Sequence, residues 1–197
     1  MTIRKGSEWG SPYEPAGDEA IAHSDAEAVA LISIALDRSQ VPAPVVLRGG
    51  DLYRMLGGRP ANPPQQFPID VVEVTADARS FRAIAHVVAR RPGWAGPFVV
   101  AMNSSSLGEW NLGPRAHPND GLLDVTEGSL RLRERLQART RARTGSHLPH
   151  PNLRTRRAAA AEFTFDPALA LRVDGEPVGT CTHLELTVRP DAATVVI

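Results

Sequence analysis

Ala116-His117-Pro118-Asn119-Asp120-Gly121-Leu122-Leu123-Asp124-Val125 is the stretch on which the reading of this 197-residue chain turns. Asn119-Asp120-Gly121 is reverse-turn chemistry, because glycine accepts positive φ and Asn or Asp bonds its own backbone. Pro118 has no amide to donate, so a strand has to begin after the turn, in the apolar run from Leu122. Two carboxylates, Asp120 and Asp124, therefore stand four residues apart where a loop enters a sheet.

Composition narrows the classes around this stretch. Apolar residues make up 42% and charged residues 22%, which suits a folded globular protein rather than a disordered one. Basic and acidic residues balance at 22 each, so no global field attracts nucleic acid or an anionic membrane, and no nucleic-acid partner is expected. Cys181 is the single cysteine, which excludes an internal disulfide and a multi-cysteine zinc site and fits a cytoplasmic setting. No run of about eighteen apolar residues is present, and residues 1–11 lack the apolar centre of a signal peptide. Lys5 is the only lysine, so the cations available to any site are arginines.

Residues 1–23 are rich in Gly and Pro and read as irregular, with a short strand at 2–5. Ser24 followed by Glu27 is a capping box, and Val29, Ile32 and Leu36 continue at helical spacing, widened by Leu31 and Ala35. Val45-Val46-Leu47, then Gly49-Gly50-Asp51, then 52–56 is a strand, a glycine pair and a helix, the layout that places phosphate at a helix start in many α/β proteins. Residues 57–68 read as loop, 69–74 as strand and 80–90 as weakly helical, from Phe81, Ile84, Val87 and Val88.

Beyond Pro92-Gly93 the pattern is strand-like, at 98–102, 122–125, 168–173, 184–188 and 194–197. One helix interrupts it, at 129–141, with Leu132 and Leu136 at i,i+4 and arginines around the rest. Asp174-Gly175 between apolar segments predicts a hairpin, with Pro177 placing the outgoing strand at an edge or delaying its start. The expected fold class is α+β: a shortened α/β segment, 1–66, followed by a larger antiparallel β-sandwich domain, 67–197.

Taken together, these stations resemble the diacylglycerol kinase and sphingosine kinase family of soluble lipid kinases. The resemblance rests on Val99-Val100-Ala101-Met102-Asn103, Gly108, and Pro114-Arg115-Ala116-His117-Pro118-Asn119-Asp120-Gly121-Leu122-Leu123-Asp124-Val125. Gly145-Ser146-His147, Val173-Asp174-Gly175-Glu176 and Val188-Arg189-Pro190-Asp191-Ala192 follow in the family's order. Upstream, Gly49-Gly50-Asp51 resembles the family's nucleotide loop, but Leu52 and Tyr53 stand where that loop has Gly and Thr.

The resemblance implies ATP-dependent phosphoryl transfer to a lipid hydroxyl. It implies Glu176 as proton acceptor, Gly49, Gly50 and Asp51 at ATP, and Asp120 with the Leu122 carbonyl at Mg²⁺. His117 stands where the family often has a lysine, and a neutral imidazole lacks that fixed charge. The alternative is a non-catalytic descendant that binds a lipid, another amphiphile or a partner, with peripheral membrane contact and a homodimer among the expectations. Three other patterns weigh less: His147 with His150 as metal ligands, separated by Pro149; Ser104-Ser105-Ser106 as a nucleophile; and the arginines of 131–157 as an anion-binding face.

Overall fold

In the computed structural model, residues 8–197 are described; the expected strand at 2–5 lies outside them. The elements in chain order are β1 (Ser11–Pro12), β2 (Ala20–Ala22), α1 (Asp25–Asp37), β3 (Val45–Leu47), α2 (Asp51–Met55), β4 (Gln65–Ala76), β5 (Arg79–Ala83) and β6 (His86–Arg90). After a 3₁₀ turn at Pro92–Trp94 come β7 (Pro97–Met102), β8 (Ser106–Leu107), β9 (Trp110–Asn111), β10 (Leu123–Ser129), α3 (Leu132–Ala142), β11 (Leu153–Ala158), β12 (Ala160–Val173) and β13 (Glu176–Val196).

Hydrogen bonding links the strands in the order β1-β4-β13-β12-β6-β7-β10-β11, with β5 on β4, β3 parallel to the end of β13, and β2 parallel to β3. This ribbon folds on itself. Val72 and Val74 of β4 and Leu184 and Leu186 of β13 share one core with Val87 of β6, Val99 of β7 and Val125 of β10. Two further cores lie outside the sandwich. The helices α1 and α2 cover Ile69, Val71 and Val195 on one side, while Val88, Phe98, Val100 and Met102 face outward on the other.

Strands buried on both faces explain where sequence and structure part. The segment 80–90, read as helical, is two strands, β5 and β6, joined at Ile84-Ala85. Val87 enters the sandwich and Val88 the outer core, so the alternation that marks a half-exposed strand is lost. The two C-terminal strands are one, β13, whose buried face switches at a register shift between Arg189 and Ala193 where Asp191 has φ 51°. The loop after α2 is shorter than expected, since β4 starts at Gln65. Pro177 sits inside the strand pairing, opposite Arg172 beside a register shift. In α3 the expected apolar stripe points to solvent: Leu132 and Leu136 are 63% and 60% exposed.

Other local readings hold. Ser24 caps α1, its hydroxyl accepting from the Glu27 amide at 3.1 Å, although Glu27 reaches back to the amide of His23 at 2.7 Å rather than that of Ser24. Asp174 and Gly175 turn the β12–β13 hairpin with φ of 47° and 84°, a pair of left-handed conformations suited to a two-residue turn.

Candidate functional site

Two polar stations and one apolar pocket are organised by this framework. The first station follows β3. Gly50, with φ 97°, leads into α2, and the amides of Asp51 and Leu52 donate to the two oxygens of Asp25 at 2.5 and 3.1 Å. Asp25 lies in the first turn of α1 and is 3% exposed. A Cβ on Gly50 would stand 2.4 Å from Asp25 Oδ1, and one on Gly49 would stand 2.2 Å from the carbonyl oxygen of His23. The glycine pair therefore serves the close crossing of the β2–α1 connection. The position in which a phosphate oxygen would meet the α2 amides holds the chain's own carboxylate.

Asp51 faces the other way. Its Oδ2 lies 2.9 Å from His86 Nε2 and its Oδ1 accepts from the Gly108 amide at 2.8 Å. Behind His86 the Asp174 carboxylate is buried and accepts from the amides of Ile84, Ala85 and His86 at 2.8–2.9 Å, fixing the β5–β6 corner. Asn103 closes the same corner: its side chain donates to the carbonyls of Ile84 and Asp70 at 2.8 and 3.2 Å.

The charges of this cluster interlock. Burial, with the negative charge of Asp174, pushes the Asp25 carboxyl up to about 7. Burial also raises Asp174, against the His86 charge and the three amides. For His86 burial acts downward, but the Asp51 hydrogen bond and the surrounding carboxylates prevail and raise it. Burial would raise Asp51; its bond to His86 and the His86 charge outweigh this and hold it below the usual carboxylate range.

The second station is the loop 116–124. Asp120 Oδ1 accepts from the Leu122 amide at 3.1 Å, closing an Asx turn, and Oδ2 is held by the Arg157 guanidinium. Gly121, with φ 71°, donates to Asp70 Oδ2 at 2.7 Å, and the Asp191 amide donates to Asp70 Oδ1 at 2.9 Å. Burial, aided by Asp191 and Asp120, pushes Asp70 up to about 6. Asp124 anchors backbone, accepting from the Arg115 amide at 2.9 Å. His117 packs on Trp9, ring centres 4.5 Å apart, and burial lowers its pKa against the pull of Asp120.

Gly49, Gly50 and Asp51 meet at the first station, but Asp25 fills the anion position, so ATP phosphates do not fit it as arranged. Asp120 and Leu122 meet at the second through the Leu122 amide, and because the Arg157 guanidinium holds the other Asp120 oxygen, a Mg²⁺ ion, which takes oxygen ligands, does not fit the carboxylate as arranged. Among the described residues the one trio of metal-capable groups is elsewhere, Glu162, His183 and Glu185 on the β12–β13 hairpin. Glu176 is exposed just beyond the turn, and it is Asp174 that enters the buried cluster. His147 is buried against the pocket described next and His150 Nδ1 accepts from the Asn152 amide at 3.1 Å; among the described residues the two belong to no trio of metal-capable groups.

Sequence reading missed Asp25, His86 and Asp70 as site residues, and it read Arg157 as part of an anion-binding face rather than as the partner of Asp120. An acid in a helix's first turn looks like ordinary dipole compensation, which concealed Asp25. His86 lay in the segment read as helical. The apolar pocket also went unseen. It is a cavity of about 90 Å³ between α3 and the outer face of β7 and β10, lined by Trp94, Phe98, Val100, Leu112, Leu130 and Leu153 among others.

Comparison with known proteins places this arrangement. Residues 63–197 match the model of the YegS C-terminal NAD kinase beta sandwich-like domain. No curated protein sequence matches the chain. Three solved structures of Bacillus anthracis str. Sterne proteins described as diacylglycerol kinases resemble it at 12% identity. One has a TM-score of 0.67 over 90% of this chain and 77% of its own; the others have 0.57 and 0.53 over 78% of this chain and 69% and 66% of theirs. At that identity the likeness is one of fold. The family match covers well over half of the sequence, and the chain belongs to the family of the YegS C-terminal NAD kinase beta sandwich-like domain.

Proposed function

We propose that the chain is a lipid-kinase-type protein that takes a lipid or comparable amphiphile in the pocket beneath α3. The observation that carries this reading is the pocket's lining. Phe98, Val100, Leu112, Leu130 and Leu153 offer apolar surface, and the indoles of Trp94 and Trp110 stand among its walls. Ligand sites are mostly apolar with a few placed polar groups, and this lining has that composition, with Thr126, Arg135, Arg139 and His147 as its polar members. Its volume, about 90 Å³, is below the roughly 150 Å³ of an engineered cavity that holds benzene. The pocket therefore suits the tip of an acyl chain, with the remainder of the molecule outside.

ATP-dependent phosphoryl transfer to a lipid hydroxyl is the second reading. Family membership and the half-open Asp51 carboxylate, with 16% of its side chain exposed beside His86, favour it. In that reading the family resemblance makes Glu176, exposed beyond the β12–β13 turn, the acceptor of the hydroxyl proton. The hydrogen bonds from the α2 amides to Asp25 favour the non-catalytic reading.

One preparation separates the two. Mass spectrometry of lipid carried through purification is expected to find an amphiphile at near-stoichiometric level, and protein that is lipid-free and takes none up overturns the proposal. Calorimetric titration with ATP and Mg²⁺ decides the second reading: no heat at millimolar nucleotide leaves lipid binding without transfer.

A further inference from the structure

The outer face of α3 has the wrong composition for a surface that meets only water. Leu132 and Leu136, more than half exposed, are followed on the same stripe by Arg143 at i+11, just past the helix end, with Arg139 at i+7 on the edge where α3 meets the pocket. Arg133 adjoins it. Residues 129–143 hold six of the chain's 22 basic residues and one of its 22 acidic ones, in a protein whose charges otherwise cancel. That single acid, Glu134, is engaged at the helix start: its oxygens accept from the Arg131 amide at 2.7 Å and from Asn152 Nδ2 at 2.8 Å.

The arginines are held unequally. Arg135 turns inward and donates to the Gly93 carbonyl at 2.7 Å, Arg139 lies over the Trp110 ring at 5.9 Å, and Arg143 pairs with the exposed Glu109 at 2.7 Å. Arg133 and Arg141 form no ion pair among the described residues. Trp94 and Trp110, part-exposed, flank the same helix across the pocket.

From this placement we infer that the outer face of α3 docks on an anionic lipid bilayer, Leu132 and Leu136 entering the headgroup boundary and the arginines meeting anionic headgroups. Leucines set among arginines on one helical face, with tryptophan alongside, are the composition of helices that lie in a membrane interface. Headgroup anions satisfy the local excess of positive charge. A second copy of the same face would set arginines against arginines, and a nucleic-acid backbone would use the arginines but leave the leucine pair without a partner. The inference deepens the proposed function, because α3 lines the pocket with its inner side while its outer side meets the membrane. It rests on that reading only for the source of the lipid.

The test is flotation of the full chain with vesicles of phosphatidylglycerol and phosphatidylcholine in equal parts, against phosphatidylcholine alone, with dodecanoate uptake measured in parallel by calorimetry. Wild type is expected to float with the anionic vesicles and less as salt rises. Leu132→Gln with Leu136→Gln should lower partitioning at least tenfold, and Arg133→Gln about fivefold. Dodecanoate uptake should be unchanged in both, which also shows that the variants are folded. Equal binding to both vesicle types, absence from anionic vesicles, or a leucine variant that floats like wild type overturns the inference. So does a wild type that self-associates or binds oligonucleotide through this face without binding vesicles. Flotation that holds while dodecanoate uptake is absent in wild type sinks the pocket reading and leaves the docking surface standing.

Discussion

Asp25 Oδ2 lies 2.5 Å from the amide nitrogen of Asp51, so a carboxylate from the first turn of α1 occupies the start of α2 directly after Gly49-Gly50. This contact inverts the meaning of the glycine pair. Glycines before a helix commonly admit a ligand's phosphate; here they admit a neighbouring piece of chain.

Gly50→Ala tests that statement. The new methyl would meet Asp25 Oδ1 at 2.4 Å and the residue would keep a φ near 97°, so a loss of about 2–4 kcal/mol in urea unfolding is expected. Gly175→Ala is the comparison. It has a φ of 84° but no atom within 4 Å of a new Cβ, so only the backbone cost of about 1–2 kcal/mol applies. Equal losses at the two sites would contradict the crossing seen at Gly50.

The buried acids make stability fall as pH rises. Asp25 and Asp70 have folded values of about 7 and about 6 against 3.8 for the free group, so folding takes up protons between those limits. Their contribution is full below pH 3.8 and is lost as pH climbs through about 6 and about 7. Asp174 and His86, both raised, act in the same direction, and Asp51, lowered, acts in the opposite one at acid pH. Thermal melts are expected to drop between pH 5 and pH 8, with a shallower drop in Asp25→Asn. Melting temperatures that rise over this interval would show that the acids do not carry these shifts.

Asp174 and Glu176, two residues apart, should behave as opposites. Asp174→Ala removes a buried carboxylate that accepts three amides and faces His86, and a loss of about 3–5 kcal/mol is expected. Glu176→Gln, on the exposed side of the hairpin, should stay within about 0.5 kcal/mol of wild type. Any activity lost with Glu176→Gln then reports on chemistry, since the fold is unchanged. Chemical denaturation of both variants checks the contrast.

Much of this fold was legible because it is written in local chemistry. Asn119-Asp120-Gly121 marks the entry to β10, Asp174-Gly175 marks the last hairpin, and Ser24 marks the start of α1; each acts through its own backbone or that of a near neighbour. What stayed hidden depends on partners distant in sequence. Val87 and Val88 sit at one strand's two buried faces, which imitates helical spacing. Asp25 is an ordinary first-turn acid until Asp51, 26 residues on, is brought to it. The pocket was illegible for the same reason, since Val100, Leu130 and Leu153 come from three separate segments. Leu132 and Leu136 misled in the opposite sense, because helical spacing reports an apolar stripe and not what covers it.

The central claim, that the cavity beneath α3 receives an amphiphile, is tested most directly by filling it. Ala138 sits on the inner side of α3 in the pocket wall, and Ala138→Phe places a ring where an acyl tip would lie. Calorimetric titration with dodecanoate is expected to show binding to wild type and affinity at least tenfold weaker in Ala138→Phe, with thermal unfolding preserved. Equal affinity in the two proteins, or no binding by wild type, would contradict the claim.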